Sequence, residues 1–170
     1  GKVIDYLFSI RHVLPKNNYD TYIRNNVASK RVLDIGVCEH VGERMRSENW
    51  KHKMIVEHAN YTLGIDILPE LISELKNSGY NVTLCDATSD VDLGEEFDVV
   101  HIGDVIEHVS SPILLLMFAL RHLKKGGKVI VRTPNAYHFN YVHLNKIVGT
   151  DKSNLEHMFY ILPIHALEIA

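Results

Sequence analysis

Three aspartates stand at the ends of short apolar runs. They are Asp34 in Val32-Leu33-Asp34-Ile35-Gly36, Asp66 in Leu63-Gly64-Ile65-Asp66, and Asp86 in Val82-Thr83-Leu84-Cys85-Asp86. An ionised aspartate is a two-oxygen acceptor, and carboxylates at three successive strand ends point at one crevice. Helix N-capping, a common task for an aspartate after a strand, explains one of the three more easily than all of them. A fourth apolar run, Phe97–Gly103, is followed by Glu107 and His108. Histidine titrates near neutrality and suits a general base acting on a hydroxyl, with a glutamate to orient it or to bind substrate. The same pair could instead hold the loop before the next helix. The chain has eleven histidines; most are expected at the surface or behind a site rather than in chemistry.

These residues need elements to position them. Residues 3–14 read as an amphipathic helix ended near Pro15, and a second helix runs from Asn17 or Asn18 to Ala28. Apolar strands are expected over 31–36, 61–66, 80–86, 97–103 and 128–133, with helical stretches near 49–59, 69–78 and 111–124. Strands alternating with helices imply parallel pairing with crossovers. Strands apolar nearly throughout imply cover on both faces. In such open sheets a ligand sits beyond the carboxyl ends of the strands, where strand order reverses. The organisation is one domain: a helical segment at 1–29, an α/β core at 30–135, and a substrate-side cap with the start of a further helix at 136–170.

Composition closes off several classes. The net charge of -3 argues against nucleic acid as partner, since polyanion binders carry a basic surplus. Two cysteines are too few for a disulfide scaffold, which favours a reducing cytoplasm. Cys38 and Cys85 end the first and third strands, about 9–10 Å apart if one strand lies between them, too far for a disulfide. Both read as pocket-lining. No apolar run reaches the length of a membrane span, and the start lacks a signal-peptide pattern. The fragment Gly-x-Gly-x-x-Gly of nicotinamide enzymes is absent after the first strand.

The ordered set Val32-Leu33-Asp34-Ile35-Gly36, Gly64-Ile65-Asp66, Cys85-Asp86-Ala87, Val105-Ile106-Glu107-His108 and Lys124-Lys125-Gly126-Gly127 with Thr133-Pro134-Asn135 resembles the class I S-adenosylmethionine methyltransferases. That resemblance implies a doubly wound, Rossmann-like α/β core with strand order 3-2-1-4-5 and helices on both faces. It also implies S-adenosyl-L-methionine as cofactor and S-adenosyl-L-homocysteine as product. Asp34, Gly36, Val37 and Cys38 would border the methionine part. Asp66 would take the ribose hydroxyls, Ile67 the adenine face, and Asp86 and the Ala87 N–H the adenine edge. Asp104 and Val105 would lie beside the methyl, with His108, Glu107 and His157 as catalytic candidates. The family's two further C-terminal strands are expected to be missing, leaving a sheet edge that wants cover or a partner, so association of copies stays open.

Two departures matter. The family's second and third loop glycines are Cys38 and His40 here, and Asp34 to Asp66 spans 32 residues, longer than the roughly 20 of dinucleotide folds. Arg44 or Arg46 could meet the cofactor carboxylate or be simply solvated. Asp104, Glu107, His108 and His157 also resemble a metal-binding pattern of small-RNA 2'-O-methyltransferases and ubiquinone-pathway O-methyltransferases, with Asp104 one methylene short; metal is the minor alternative. The reading is O-methylation of a small-molecule or carbohydrate acceptor, with no membrane partner. The alternatives are a metal-dependent RNA enzyme and a non-catalytic domain of the same fold.

Overall fold

A computed structural model of the chain describes residues 19–38, 45 and 47–133. Five strands form one parallel sheet: β1 (Arg31–Ile35), β2 (Tyr61–Asp66), β3 (Val82–Leu84), β4 (Phe97–Gly103) and β5 (Leu123–Arg132), in the order β3-β2-β1-β4-β5. Among the described residues four helices accompany them: α1 (Tyr19–Val27), α2 (Lys51–His58), α3 (Pro69–Asn77) and α4 (Pro112–Arg121). The expected strand order is the observed one. The anticipated helix at 3–14, the cap at 136–170, Arg44, Arg46 and His157 lie outside the described residues.

Strand alternation divides the core. Leu33, Ile35, Ile65, Val100 and Ile102 pack with Leu115, Phe118 and Ala119 of α4. On the other face Val32, Val99 and Ile130 pack with Ile23 and Val27 of α1 and with Met54 and Ile55 of α2. Trp50, Ile72, Leu75 and Val82 extend that second layer over β3. The central strand β1 is buried from Val32 to Ile35, as expected where helices cover both sides. Two helices open on proline, Pro69 and Pro112, which has no N–H to leave unpaired there. Ser111 caps α4 by accepting from the Leu114 N–H at 3.4 Å.

Boundaries differ where local chemistry overrides the apolar pattern. The third strand is only Val82–Leu84, because the Tyr80 N–H is spent closing α3 on the Leu75 carbonyl at 3.0 Å. The last helix stops at Arg121 rather than 124. Buried His122 follows it, and the Phe97 N–H bonds the His122 carbonyl at 2.8 Å. Strand β5 therefore starts at Leu123, and Lys124–Gly127 forms a bulge within it. Leu123 pairs with Phe97, but the next partner of β4 is Lys128, opposite Val99. Gly126 has φ +80° at this bulge, a conformation that favours glycine.

Candidate functional site

The strand tips of β3, β2, β1 and β4 lie side by side along one edge of the sheet. After β1 the chain turns at Gly36, with φ +81° and an ideal Cβ position only 2.0 Å from Val105 Cγ2. Glycine is required by conformation and by contact alike. The Gly36 N–H bonds the Ile65 carbonyl at 2.9 Å, and the Trp50 indole N–H donates to the Val37 carbonyl at 2.9 Å. The loop is thus pinned from β2 and from the start of α2.

Asp66 ends β2 half-buried. Its Oδ2 accepts the Cys38 N–H at 2.8 Å, and its Oδ1 accepts the N–H groups of Ile67 at 2.7 Å and Leu68 at 3.2 Å. A carboxylate has about four acceptor positions, and these three N–H groups and the neighbouring Cys38 thiol share them. Ile67 beside it is 64% exposed, an aliphatic face with no cover among the described residues. Burial, then the Asp66 charge, pushes the Cys38 thiol up to about 12, so it stays a neutral lining group. Both cysteines are free thiols, and Cys85 is buried. Next door, the Cys85 N–H bonds the Asp66 carbonyl at 2.9 Å. Asp86 is exposed, with Oδ1 accepting from the Thr88 N–H and hydroxyl at 2.8 and 2.7 Å. Ala87 is buried.

Asp34 does not join this rim, which corrects the expectation of three convergent carboxylates. Its side chain faces α1 and α2 and is buried. Oδ2 accepts from His52 Nδ1 at 2.8 Å and Oδ1 from His101 Nδ1 at 2.6 Å. Burial opposes its ionisation, but the charge and hydrogen bond of His101, with those of His52, outweigh it and hold the carboxyl down at about 2. The physical reason is register: Asp34 pairs with Gly64, inside the sheet, whereas Asp66 lies beyond the Ile35–Ile65 pair. Asp34 therefore supports the β1 tip from within. The two histidines escaped notice in the sequence. The usable signal was alternation, which sets His101 on the face of Val99 beside Asp34.

At the β4 tip, Asp104 has φ +54°, a left-handed conformation that aspartate tolerates better than most residues. Its N–H bonds the Arg132 carbonyl at 3.0 Å, and its Oδ2 meets Arg132 Nη1 at 3.2 Å. Val105 packs under Gly36. The His108 N–H closes a turn on the Val105 carbonyl at 2.9 Å, and His108 is half-buried. Glu107 is 1% exposed. Its Oε2 accepts the Thr133 hydroxyl at 3.2 Å, and its Oε1 has no partner among the described residues. Burial raises its pKa, with Asp104 adding to the effect. Asp104, Glu107 and His108 do not assemble into a three-ligand metal cluster among the described residues.

The family described as "Methyltransferase domain" matches residues 9–168. The chain belongs to this methyltransferase family. The ubiquinone biosynthesis O-methyltransferase of Pseudomonas fluorescens (strain Pf0-1) is 33% identical over 130 residues, covering 70% of this chain and 52% of that protein. The chain thus spans about half the length of that relative. A SAM-dependent methyltransferase of Thermotoga maritima superposes with TM-score 0.64 at 20% identity, over 88% of this chain and 65% of its own. The sugar N-methyltransferase KedS8 of Streptoalloteichus superposes with TM-score 0.55 at 18% identity, over 75% and 53%. The two superpositions establish the methyltransferase fold. No helix among the described residues is long and apolar enough to cross a membrane.

The residues of this methyltransferase domain fit S-adenosylmethionine. A half-buried acceptor, an exposed aliphatic face, a second carboxylate one strand further out and a glycine turn line up along the tips. That is the acceptor and apolar set a nucleoside with an amino-acid tail needs.

Proposed function

We propose that this chain is the cofactor-binding and methyl-transferring part of an S-adenosylmethionine-dependent O-methyltransferase acting on a small-molecule or carbohydrate hydroxyl. The observation that carries the reading is the β2 tip, where the Asp66 carboxylate is followed by Ile67, 64% exposed. Together they offer acceptor oxygens for ribose hydroxyls and an apolar surface for a base. Asp86 and the Ala87 N–H would read the adenine edge. Gly36, Val37 and Cys38 would border the methionine part, with Asp34 fixing that loop from behind. Asp104 and Val105 would flank the reacting end.

When bound, S-adenosylmethionine supplies an activated methyl on a sulfonium. The protein then has to align the acceptor and receive its proton. His108 takes that proton in this reading. Glu107, buried with one oxygen that has no partner among the described residues, holds the acceptor or orients His108. His157 is assigned to the acceptor side of the same site. The O-methyltransferase relative supports a hydroxyl as the group modified.

Titration calorimetry tests this directly. The chain is expected to bind both S-adenosylmethionine and S-adenosylhomocysteine. Asp66→Ala is expected to weaken both about 10- to 100-fold, the effect of losing hydrogen bonds to a charged group. An absence of heat with either ligand in the wild-type chain would sink the reading.

A further inference from the structure

The buried polar chain behind the rim reaches the rim through one residue. Tyr19 opens α1, and its hydroxyl lies 2.6 Å from His101 Nε2. Asp34 is ionised and has no proton to give, so His101 Nδ1 must carry the hydrogen between them. Nε2 accepts from the Tyr19 O–H when the ring is neutral and donates to the Tyr19 oxygen when the ring is charged, so the contact holds in either state. The Tyr19 ring in turn faces the Arg132 guanidinium, with Cζ 5.0 Å from the ring centroid, within range of a cation–π contact. Arg132 holds Asp104 twice, through Nη1 to Oδ2 at 3.2 Å and through its carbonyl to the Asp104 N–H at 3.0 Å.

We propose that Tyr19 is a positioning residue for methyl transfer: clamped by His101 and Asp34, its ring carries Arg132, and Arg132 sets the Asp104 carboxylate at the β4 tip. This rests on the proposed function, because it gives Asp104 its place beside the cofactor's sulfonium. The arrangement explains why a histidine and an aspartate are buried together in the central strands. A packing role alone would be met by apolar residues of similar volume, which often serve stability as well as a buried ion pair does.

The test compares S-adenosylmethionine, which is cationic at sulfur, with neutral S-adenosylhomocysteine. Calorimetric affinities for both are measured on the wild-type chain, Tyr19→Leu, Arg132→Lys, which keeps the charge but not the planar fork, and the double variant. A displaced Asp104 carboxylate weakens the cationic ligand more than the neutral one. Each single variant is expected to lower the ratio of the two affinities about threefold, the scale of a partly exposed ion pair. The double variant is expected to lower it no further, because Tyr19 acts through Arg132. Tyr19→Phe, which keeps the ring, is expected to fall between wild type and Tyr19→Leu.

A ratio unchanged in the variants, with only the melting temperature lowered, overturns the proposal, as do additive effects in the double variant. If Tyr19→Leu does not fold, Tyr19→Phe and Arg132→Lys carry the comparison, the Arg132 side chain being 44% exposed. A wild-type chain that binds neither ligand brings down the methyltransferase reading and this inference with it. Binding with an unmoved ratio removes the inference alone.

Discussion

Asp34 and Asp66 sit near the ends of adjacent parallel strands and live in opposite surroundings. Asp34 is wedged between two imidazoles in the layer under α1 and α2. Asp66 is half-buried and holds three backbone N–H groups of the loops that border the crevice. The interior carboxylate meets side chains that can carry charge; the rim carboxylate meets backbone N–H groups and the neutral Cys38 thiol. One aspartate is thereby committed to holding the sheet and helices together, while the other organises the loops at the strand tips, where the proposed function puts the ribose. A short motif ending in an acidic residue does not say which fate applies. Depth along the strand does.

The sharpest way to break this contrast is Asp34→Ala. It removes the only described partner of His52 Nδ1 and leaves two buried imidazoles facing a void. Losing one partner of a buried ionic group costs about 3–5 kcal/mol. Denaturant unfolding should show a loss of that size, far larger than the loss for Asp66→Ala.

Acid titration sharpens it further. The Asp34 carboxyl is held at about 2, below its ordinary 3.8. Its stabilising contribution, about 2 kcal/mol, is complete above roughly pH 4 and is lost as the pH falls toward 2. Glu107 has the opposite sign. Burial raises its pKa above the ordinary 4.5, so the folded state favours the protonated acid, and stability declines as the pH rises through that raised value. The free energy of unfolding measured across this range should rise steeply from pH 2 to about 4 and then flatten or fall. Asp34→Asn should remove the steep limb, and Glu107→Gln the decline.

The smallest expected effect belongs to the rim. Ile67→Ser changes a side chain that is 64% exposed, so the melting temperature should stay near that of the wild type. Cofactor affinity should fall about fivefold, the worth of partly covering an aliphatic side chain. A large loss of stability with unchanged affinity would show Ile67 to be structural and would erase the contrast between interior and rim.

The apolar runs and their spacing determine much of this protein. The strands at 31, 61 and 97 begin where expected, and parallel pairing follows from their alternation with helices, while the order 3-2-1-4-5 is what the family resemblance implies. These features depend on local pattern, which hydrophobic periodicity and helix-start residues report directly. The tertiary structure alone decided three matters. It turned Asp34 inward, because pairing with Gly64 and His101 sets its depth and side, and register is a property of the sheet rather than of either strand. It drew Lys124–Gly127 into a bulge of β5, because Phe97 pairs with Leu123 before Val99 pairs with Lys128. It joined Tyr19, Arg132 and Asp104 at one strand tip. Those contacts link residues more than a hundred positions apart or on separate elements. No local pattern encodes them, because they exist only once the strands and α1 have packed.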